Sequence, residues 1–444
     1  MTEALFGLVE REVARRGGGQ AELYAVRERV RRYDARGGGI DSLSFADSLV
    51  LGVRIFRNAR MGFSYGFRES GDELARMVEA ALFCADASDP DPAYGLPGKD
   101  GEFPEPALYD AAWESVGDSE KAEFAAELER RTLAFDPRMK RVRSASLKET
   151  ITEVKFRNSA GSGGSWRASQ YVAYVESVAE QGEEGQTGFG LGFGRRFADL
   201  SADVVAEEAG RRAVRMLGAR RLPTGRYAAV LENGASAELL EVLIPSFLAS
   251  QVAKGKSMLE GKQGQKIASL KVRICDDPLD PQGSGSQAFD GEGSPCRRNV
   301  LVEKGVLKGY LADAFWGRKL GTDTTASCCR PGPKSPPAVG ISNLLIDPGD
   351  RTPKELLREA GSGILLTEFL GIHTADPVSG DFSVGAAGIR FERGEEKEPV
   401  RGFAVSGNIL SLLLQVKEAG SDFRWFGNVG SPSLAISEIA VGGE

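Results

Sequence analysis

Histidine is almost absent from this chain: one occurs in 444 residues, His373. Zinc hydrolases use two or three imidazole ligands, and a serine or cysteine nucleophile works with an imidazole base. A single histidine excludes an ordinary zinc protease site. It leaves carboxylate chemistry, one His-dependent site, or no chemistry of the chain's own. Cysteine is sparse too. Cys84, Cys275, Cys296, Cys328 and Cys329 form an odd, scattered set without a CxxC pair. Such a set fits reduced thiols in the cytoplasm rather than a disulfide framework. The adjacent Cys328 and Cys329 read either as a reactive site or as two incidental loop thiols. A basic excess is also missing. The formal net charge is -7, whereas a nucleic-acid footprint shows clustered Lys and Arg. The short basic run from Arg27 to Arg36 is interrupted by Glu28 and Asp34 and reads as an exposed strand face. Long apolar runs are lacking: a run such as Ile409 to Leu414 is far too short to span a bilayer. The first residues, MTEALFGLVEREVARR, lack the basic-then-apolar layout of a secretion signal. The expectations are a cytoplasmic location and neither nucleic acid nor membrane as partner.

What is present describes a folded soluble protein, 41% apolar and 27% charged. Its length suggests two or three domains. Glycine is abundant, 56 residues, with no G-X-Y period, which points to strands, bulges and tight turns. Residues 3–15 carry Leu5, Val9 and Val13 at helical spacing. A strand with a polar face follows over 21–34, then a turn at Gly37 to Gly39. Leu49 to Phe56 and Met61 to Phe67 form a hairpin about Arg57 to Arg60. Ser70 and Glu73 make a capping box for a helix with Leu74, Met77, Ala81 and Ala85 on one face. Residues 86–107 read as a connector, 119–135 as a helix, 141–197 as a strand meander and 201–217 as a helix ended by Gly218. After a boundary at 220–225 come a strand from Tyr227 to Leu231, a turn at Asn233-Gly234 and a helix over 236–252 that Pro245 kinks or ends. The remainder is mainly β, with a hairpin about Lys304-Gly305, a loop from Pro331 to Pro337 and a helix over 353–361. The fold class expected is α+β. An N-terminal α/β layered region with antiparallel strands and flanking helices (1–100) leads into a helix-plus-meander region (101–222). A β-rich C-terminal domain (223–444) completes the chain.

Three segments invite a functional reading. Gly188 to Gly194 alternates glycine with Phe189, Leu191 and Phe193. It lacks the GxGxxG spacing of a phosphate loop, so close backbone packing on one strand face is expected. Gln282 to Gly293 reads as a mobile Gly/Ser loop; its Asp290 and Glu292 could meet a hard cation, but the EF-hand spacing is absent. The stretch from Gly371 to Gly388 crowds His373, Thr374, Asp376, Ser379, Gly380 and Asp381 into one polar loop, with Pro377 and Gly380 enforcing turns. Either it is a binding loop on a rigid scaffold, or its aspartates close local Asx-turns while His373 bonds a carbonyl.

Several runs in order resemble one family. They are Ser48 to Phe56, Arg60 to Ser64, Ser88 to Pro92, Pro223 to Tyr227, Asp290 to Gly293 leading into Arg297 to Tyr310, Arg318 to Gly321, Thr367 to Gly371, Ser379 to Ser383 with Gly385 to Gly388, and Gly407-Asn408. The resemblance is to the TldD/PmbA, or modulator of DNA gyrase, family, and within it to the TldE (PmbA) branch. It covers nearly the whole chain. In the TldD-like paralogue a helix bears HExxxH and a C-terminal Cys completes a zinc site. The corresponding helix here is that of 236–252, with the motif positions near Leu240, Glu241 and Pro245. It contains no His, and Phe426 to Gly430 contains no Cys.

The resemblance therefore implies a non-catalytic subunit of a heterodimeric zinc metallopeptidase that degrades unfolded peptides or trims peptide precursors. It implies no metal and no catalytic residue in this chain. Zinc is expected in a TldD-like partner, or the chain pairs with itself. Peptide would bind in a cavity between subunits, as an added β-strand. The loop residues His373, Thr374, Asp376, Ser379, Gly380 and Asp381, with Asn408, are expected at the substrate chamber or interface. Two alternatives remain. One is an autonomous hydrolase or metal-binding protein using His373 with Asp376, Asp381 or Glu368; the other is a regulatory binding protein.

Overall fold

The computed structural model describes residues 2–98, 101–332 and 334–443. Helix α1 (Thr2–Arg15) leads into three long strands, β1 (Gln20–Arg36), β2 (Gly39–Arg57) and β3 (Arg60–Gly66), and helix α2 (Gly71–Ala87). Helix α3 (Asp118–Ala134) precedes the meander β4 (Met139–Asn158), β5 (Gly163–Gln181) and β6 (Glu184–Gly194), and α4 (Ala202–Arg215) follows it. All six strands form one antiparallel sheet, ordered β3-β2-β1-β4-β5-β6. Period-two alternation explains its layers. Leu23, Tyr33, Leu147 and Val175 face the helices. Phe6, Val9 and Val13 of α1 and Met77 and Ala81 of α2 cover the β1–β3 end; Leu128 of α3 and Val205 and Ala209 of α4 cover the rest. On the opposite face Tyr24, Val26, Val154 and Phe156 pack on Phe289 of the C-terminal half.

That half begins with β7 (Gly225–Leu231), α5 (Asn233–Phe247) and α6 (Ala249–Ala253). A mixed sheet uses β8 (Ile274–Asp276), β9 (Asn299–Glu303) and β10 (Val306–Leu307). Helix α7 (Ala314–Leu320) and the pair β11 (Cys328–Cys329) and β12 (Ala338–Val339) follow. Next come β13 (Leu344–Ile346), α8 (Pro353–Ala360), β14 (Ser362–Leu370), β15 (Asp381–Glu392), β16 (Glu395–Asn408) and α9 (Ile409–Leu414). The chain ends with β17 (Val416–Ala419), β18 (Arg424–Phe426), β19 (Val429–Ser431) and β20 (Leu434–Gly442). One sheet runs β10-β9-β8-β13-β19-β18 and the other β16-β15-β14-β7-β20-β17; a β16–β20 pairing closes five strands of the latter into a ring. The architecture is the α+β class expected, with a layered N-terminal region and a β-rich C-terminal one.

Five local expectations are corrected. Residues 40–48 continue β2, although every one of them is exposed. Asn233-Gly234 is the first turn of α5, because Glu232 anchors the helix start, its N–H bonded to Leu366 O and its carboxylate to Arg215 at 2.6 and 2.8 Å. Helix α5 runs two residues past Pro245 and ends at extended Leu248. Ser70 accepts from Glu73 N–H, but Glu73 accepts from Phe67 N–H instead of closing the box. Gln282 to Gly293 is not a loose loop: Gly283, Ser286 and residues 288–293 are buried.

The buried loop carries an ion network. Arg54 of β2 bonds Glu22 at 2.7 Å and Glu292 at 2.8 Å, and Arg330 bonds Glu22 at 2.7 Å. Asp290 accepts N–H bonds from Glu292, Ser294 and Cys328, and burial still pushes its carboxyl up to about 7. Charges removed from water need partners, so this network fixes the N-terminal sheet on the C-terminal half.

The alternating glycines of β6 have the role expected of them. A Cβ at Gly188 would sit 2.2 Å from the Ala209 carbonyl oxygen, and one at Gly190 would sit 2.0 Å from that of Val205. Only glycine lets α4 lie directly on the strand.

Candidate functional site

Helix α5 is amphipathic. Leu239, Leu240, Leu243 and Phe247 enter the main core, while Glu238 and Glu241, three apart and so on one face, line a cavity of about 540 Å³. The opposite wall is the glycine strand β6 with Phe189 and Leu191, joined by Arg212 and Arg215 of α4. Glu368 and Leu370 of β14, Arg401 of β16 and Phe426 of β18 complete it. The cavity therefore lies between the two halves.

Its electrostatics are mixed. Glu238 Oε2 accepts the Phe369 N–H at 3.1 Å. Burial pushes its carboxyl up to about 7, with the carboxylates of Glu368 and Glu241 adding to the rise and the Phe369 bond opposing it. Burial also raises Glu241. Arg212 bonds Glu208 at 2.8 Å and stacks 4.2 Å from the centre of the Phe189 ring. Arg215 is held by Glu232, and Arg401 reaches Glu184 at 3.5 Å. Carboxyl and guanidinium groups beside two aromatic rings give the cavity both signs of charge and apolar surface.

The donor set does not fit zinc. Of the three expected motif positions, Leu240 is buried in the core, Glu241 lines the cavity and Pro245 carries no ligand atom. Zinc sites take imidazole or thiolate with carboxylate, and α5 supplies neither of the first two. Among the described residues no group of three or more His, Cys, Asp and Glu is placed to hold a metal ion.

The loop predicted from sequence lies apart from this cavity, past Leu370. Gly371 (φ 89°) turns the chain into a short 3₁₀ turn over Ile372–Thr374. Thr374 Oγ1 donates to Gly371 O at 2.8 Å. Asp376 Oδ1 accepts from Val378 and Ser379 N–H, and those donors hold its carboxyl below the usual range. Asp381 N–H donates to Ser379 Oγ at 3.1 Å. Asn408 Nδ2 donates to Ser379 O and to Asp381 Oδ1, while its Oδ1 caps α9. Gly380 (φ 81°) packs against Met258 and Asn408. His373, Thr374, Asp376, Ser379 and Asp381 are exposed. The structure thus joins Asp376, Ser379, Asp381 and Asn408 in one network, with His373 on its rim, and places Glu241 with the cavity group. Glu238, Arg212 and Arg215 were not singled out from sequence. The three-residue spacing of Glu238 and Glu241 on one helix was the signal available.

Comparison with known proteins sets this geometry in a family. Models of the PmbA/TldA metallopeptidase domains match in order: domain 1 over residues 21–85, the central domain over 112–217 and the C-terminal domain over 224–443. A metalloprotease of Methanothermobacter thermautotrophicus is 31% identical, across 84% of this chain and 81% of its own length. The chain belongs to the PmbA/TldD metallopeptidase family. The metalloprotease PmbA of Escherichia coli O157:H7 is 26% identical over 92% of this chain and 89% of its own length. Among solved structures, a Thermotoga maritima protein named a modulator of a DNA gyrase superposes with TM-score 0.92, 24% identical, over all of both chains. TldE of Thermococcus kodakarensis superposes with TM-score 0.89, 22% identical, over 99% of each. At those identities the superpositions show the shared fold.

Proposed function

We propose that this chain is the non-catalytic, TldE-like subunit of a two-subunit zinc metallopeptidase that degrades unfolded peptides or trims peptide precursors. The observation that carries the reading is the chemistry of α5. The helix that bears HExxxH in the zinc-bearing paralogue here presents Glu238 and Glu241 to the inter-half cavity, with no imidazole. A carboxylate without a metal-bound water has nothing to activate. What the cavity offers is binding: Glu238 and Glu241 toward amines, Arg212, Arg215 and Arg401 toward carboxylates, Phe189 and Phe426 toward apolar side chains. The zinc belongs to a TldD-like partner with HExxxH, and the His373 to Asp381 loop with Asn408 faces the chamber or interface the two share. The reading places both proteins in the cytoplasm. No helix among the described residues is long and apolar enough to cross a membrane.

The test is affinity capture of this chain from its own cells, with mass spectrometry. A protein bearing HExxxH, recovered near one to one, is the expected result. Recovery of the chain alone, with stoichiometric metal and peptidase activity, would overturn it in favour of an autonomous enzyme. Peptide turnover by the reconstituted pair carrying H373A and D381N then checks the loop: unchanged turnover and assembly would remove it from the chamber.

A further inference from the structure

A second cavity, of about 1020 Å³, adjoins the first at Leu191. It opens between β6, α4, the segment at Pro281 and β18, and four guanidinium and four carboxylate groups line it. Three of each are paired: Arg196 with Asp199 at 2.7 Å, Arg211 with Glu207 at 3.8 Å and Arg424 with Glu208 at 2.8 Å. Asp110 and Arg195 are left over, with no ion-pair partner among the described residues. Asp110 Oδ1 accepts only the Ala112 N–H, at 3.0 Å. Arg195 donates to three backbone carbonyls, of Pro281, Gly283 and Ser169, at 2.8, 2.6 and 3.3 Å. A guanidinium has five N–H groups, and carbonyls leave its charge uncompensated. Burial accordingly pushes Arg195 down to about 10, and Asp280, whose charge opposes the fall, forms no ion pair with it.

Ser169 of β5 places both leftover charges. Its Oγ accepts the Asp110 N–H at 2.8 Å, and its carbonyl accepts from Arg195. A carboxylate and a guanidinium therefore stand on one wall, near each other but not bonded. Beside them lie the Phe193 ring, 5.3 Å from the Arg195 guanidinium, and the edge-to-face pair Phe423 and Trp425, 5.2 Å apart. We propose that this cavity binds a small zwitterion with an apolar side chain, an α-amino acid or a dipeptide of such residues. Its ammonium group sits on Asp110, its carboxylate on Arg195 and its side chain among Phe193, Phe423 and Trp425. A simple anion would meet Asp110 as a like charge, and a simple cation would meet Arg195; a zwitterion answers both. A longer extended peptide, at about 3.5 Å per residue, carries its ends beyond two groups held by one serine. The proposal goes beyond the peptidase reading and does not rest on it, because the chain alone must bind.

The test is titration calorimetry of the full chain at pH 7, with phenylalanine and leucylphenylalanine as probes. At least one should bind, one to one. Tighter binding of the dipeptide would name a dipeptide as the occupant, and tighter binding of phenylalanine a free amino acid. Acetylating the amine of the better probe, or amidating its carboxylate, should each weaken binding by at least about tenfold, since each removes a charge-assisted bond. D110N keeps an Oδ1 for the Ala112 N–H. It should lose the preference for a free amine and retain the preference for a free carboxylate. Arg195 also ties the two halves through Pro281 and Gly283, so the amidated probe tests its part without altering the fold. No binding of either probe overturns the proposal. So do blocked probes that bind as well as free ones, or D110N that still prefers the free amine.

Discussion

Glu238 shows how burial tunes a single group. Its carboxyl lies near 7 in the folded chain against an ordinary value of 4.5. A carboxyl raised on folding contributes stability that is present below the unfolded value and lost as pH rises through the folded one. The expected result is that E238Q narrows the difference in Tm between pH 5 and pH 8, with most of the gain at pH 8; an unchanged difference would mean the carboxyl titrates normally. Asp276 has the same sign. It is fully buried, its Oδ2 has no hydrogen-bond partner among the described residues, and burial raises it to about 7. D276N should flatten the fall in stability between pH 4 and pH 7, where one such proton is worth up to about 1.4 kcal/mol per unit of pH. Arg54 acts in the opposite way, as the cation shared by the buried carboxylates Glu22 and Glu292; without it Glu22 keeps Arg330, and Glu292 loses its ion pair. Removing one partner of a buried pair costs about 3–5 kcal/mol, so R54M should shift the urea midpoint markedly. A shift no larger than that of a surface arginine such as Arg15 would show the network to be dispensable.

At the scale of elements, the glycine strand β6 and helix α4 form the tightest joint near the cavity. G190A puts a methyl group 2.0 Å from the Val205 carbonyl oxygen. The helix must move, at a cost of about 1–3 kcal/mol or more. G185A, whose Cβ meets nothing closer than 3.9 Å, is the control in the same strand and should melt like the parent. Since α4 carries Arg212 and Arg215 into the cavity, G190A should also weaken the peptide binding proposed there, measured by calorimetry; equal losses from G185A would refute the packing argument. These elements were legible in sequence because each has a local cause. Alternation marks the strands, four-residue spacing marks α1, α2 and α4, and glycine at every second position announces a helix lying close. The start of α5 was not legible: Asn233-Gly234 carries the chemistry of a turn, and the contacts that override it, Arg215 and Leu366, come from distant parts of the chain.

For the whole molecule, the two halves are joined by ionic contacts that no local pattern reveals. Arg424 of β18 bonds Glu208 of α4 and the Leu191 carbonyl of β6, and Arg54 and Arg330 tie the first sheet to residues 290–292. Calorimetry should show one cooperative transition for the parent chain and two for R54M/R424A. A single transition in that variant would mean the halves cooperate through apolar contact alone. Sequence by itself determined that no metal site with two or more histidine ligands exists in this chain, the class and order of the elements, and the resemblance that the family comparison bears out. These depend on residue identity and near-neighbour periodicity, which the chain carries openly. Only the tertiary structure decided that Glu238, Glu368 and three arginines share a cavity, that Asp290 and Glu292 are buried anchors rather than a loose loop, and that residues 39–48 extend β2 as an uncovered edge. Each of those depends on which surfaces meet across large separations in sequence, and burial, which sets both charge state and rigidity, exists only once they have met.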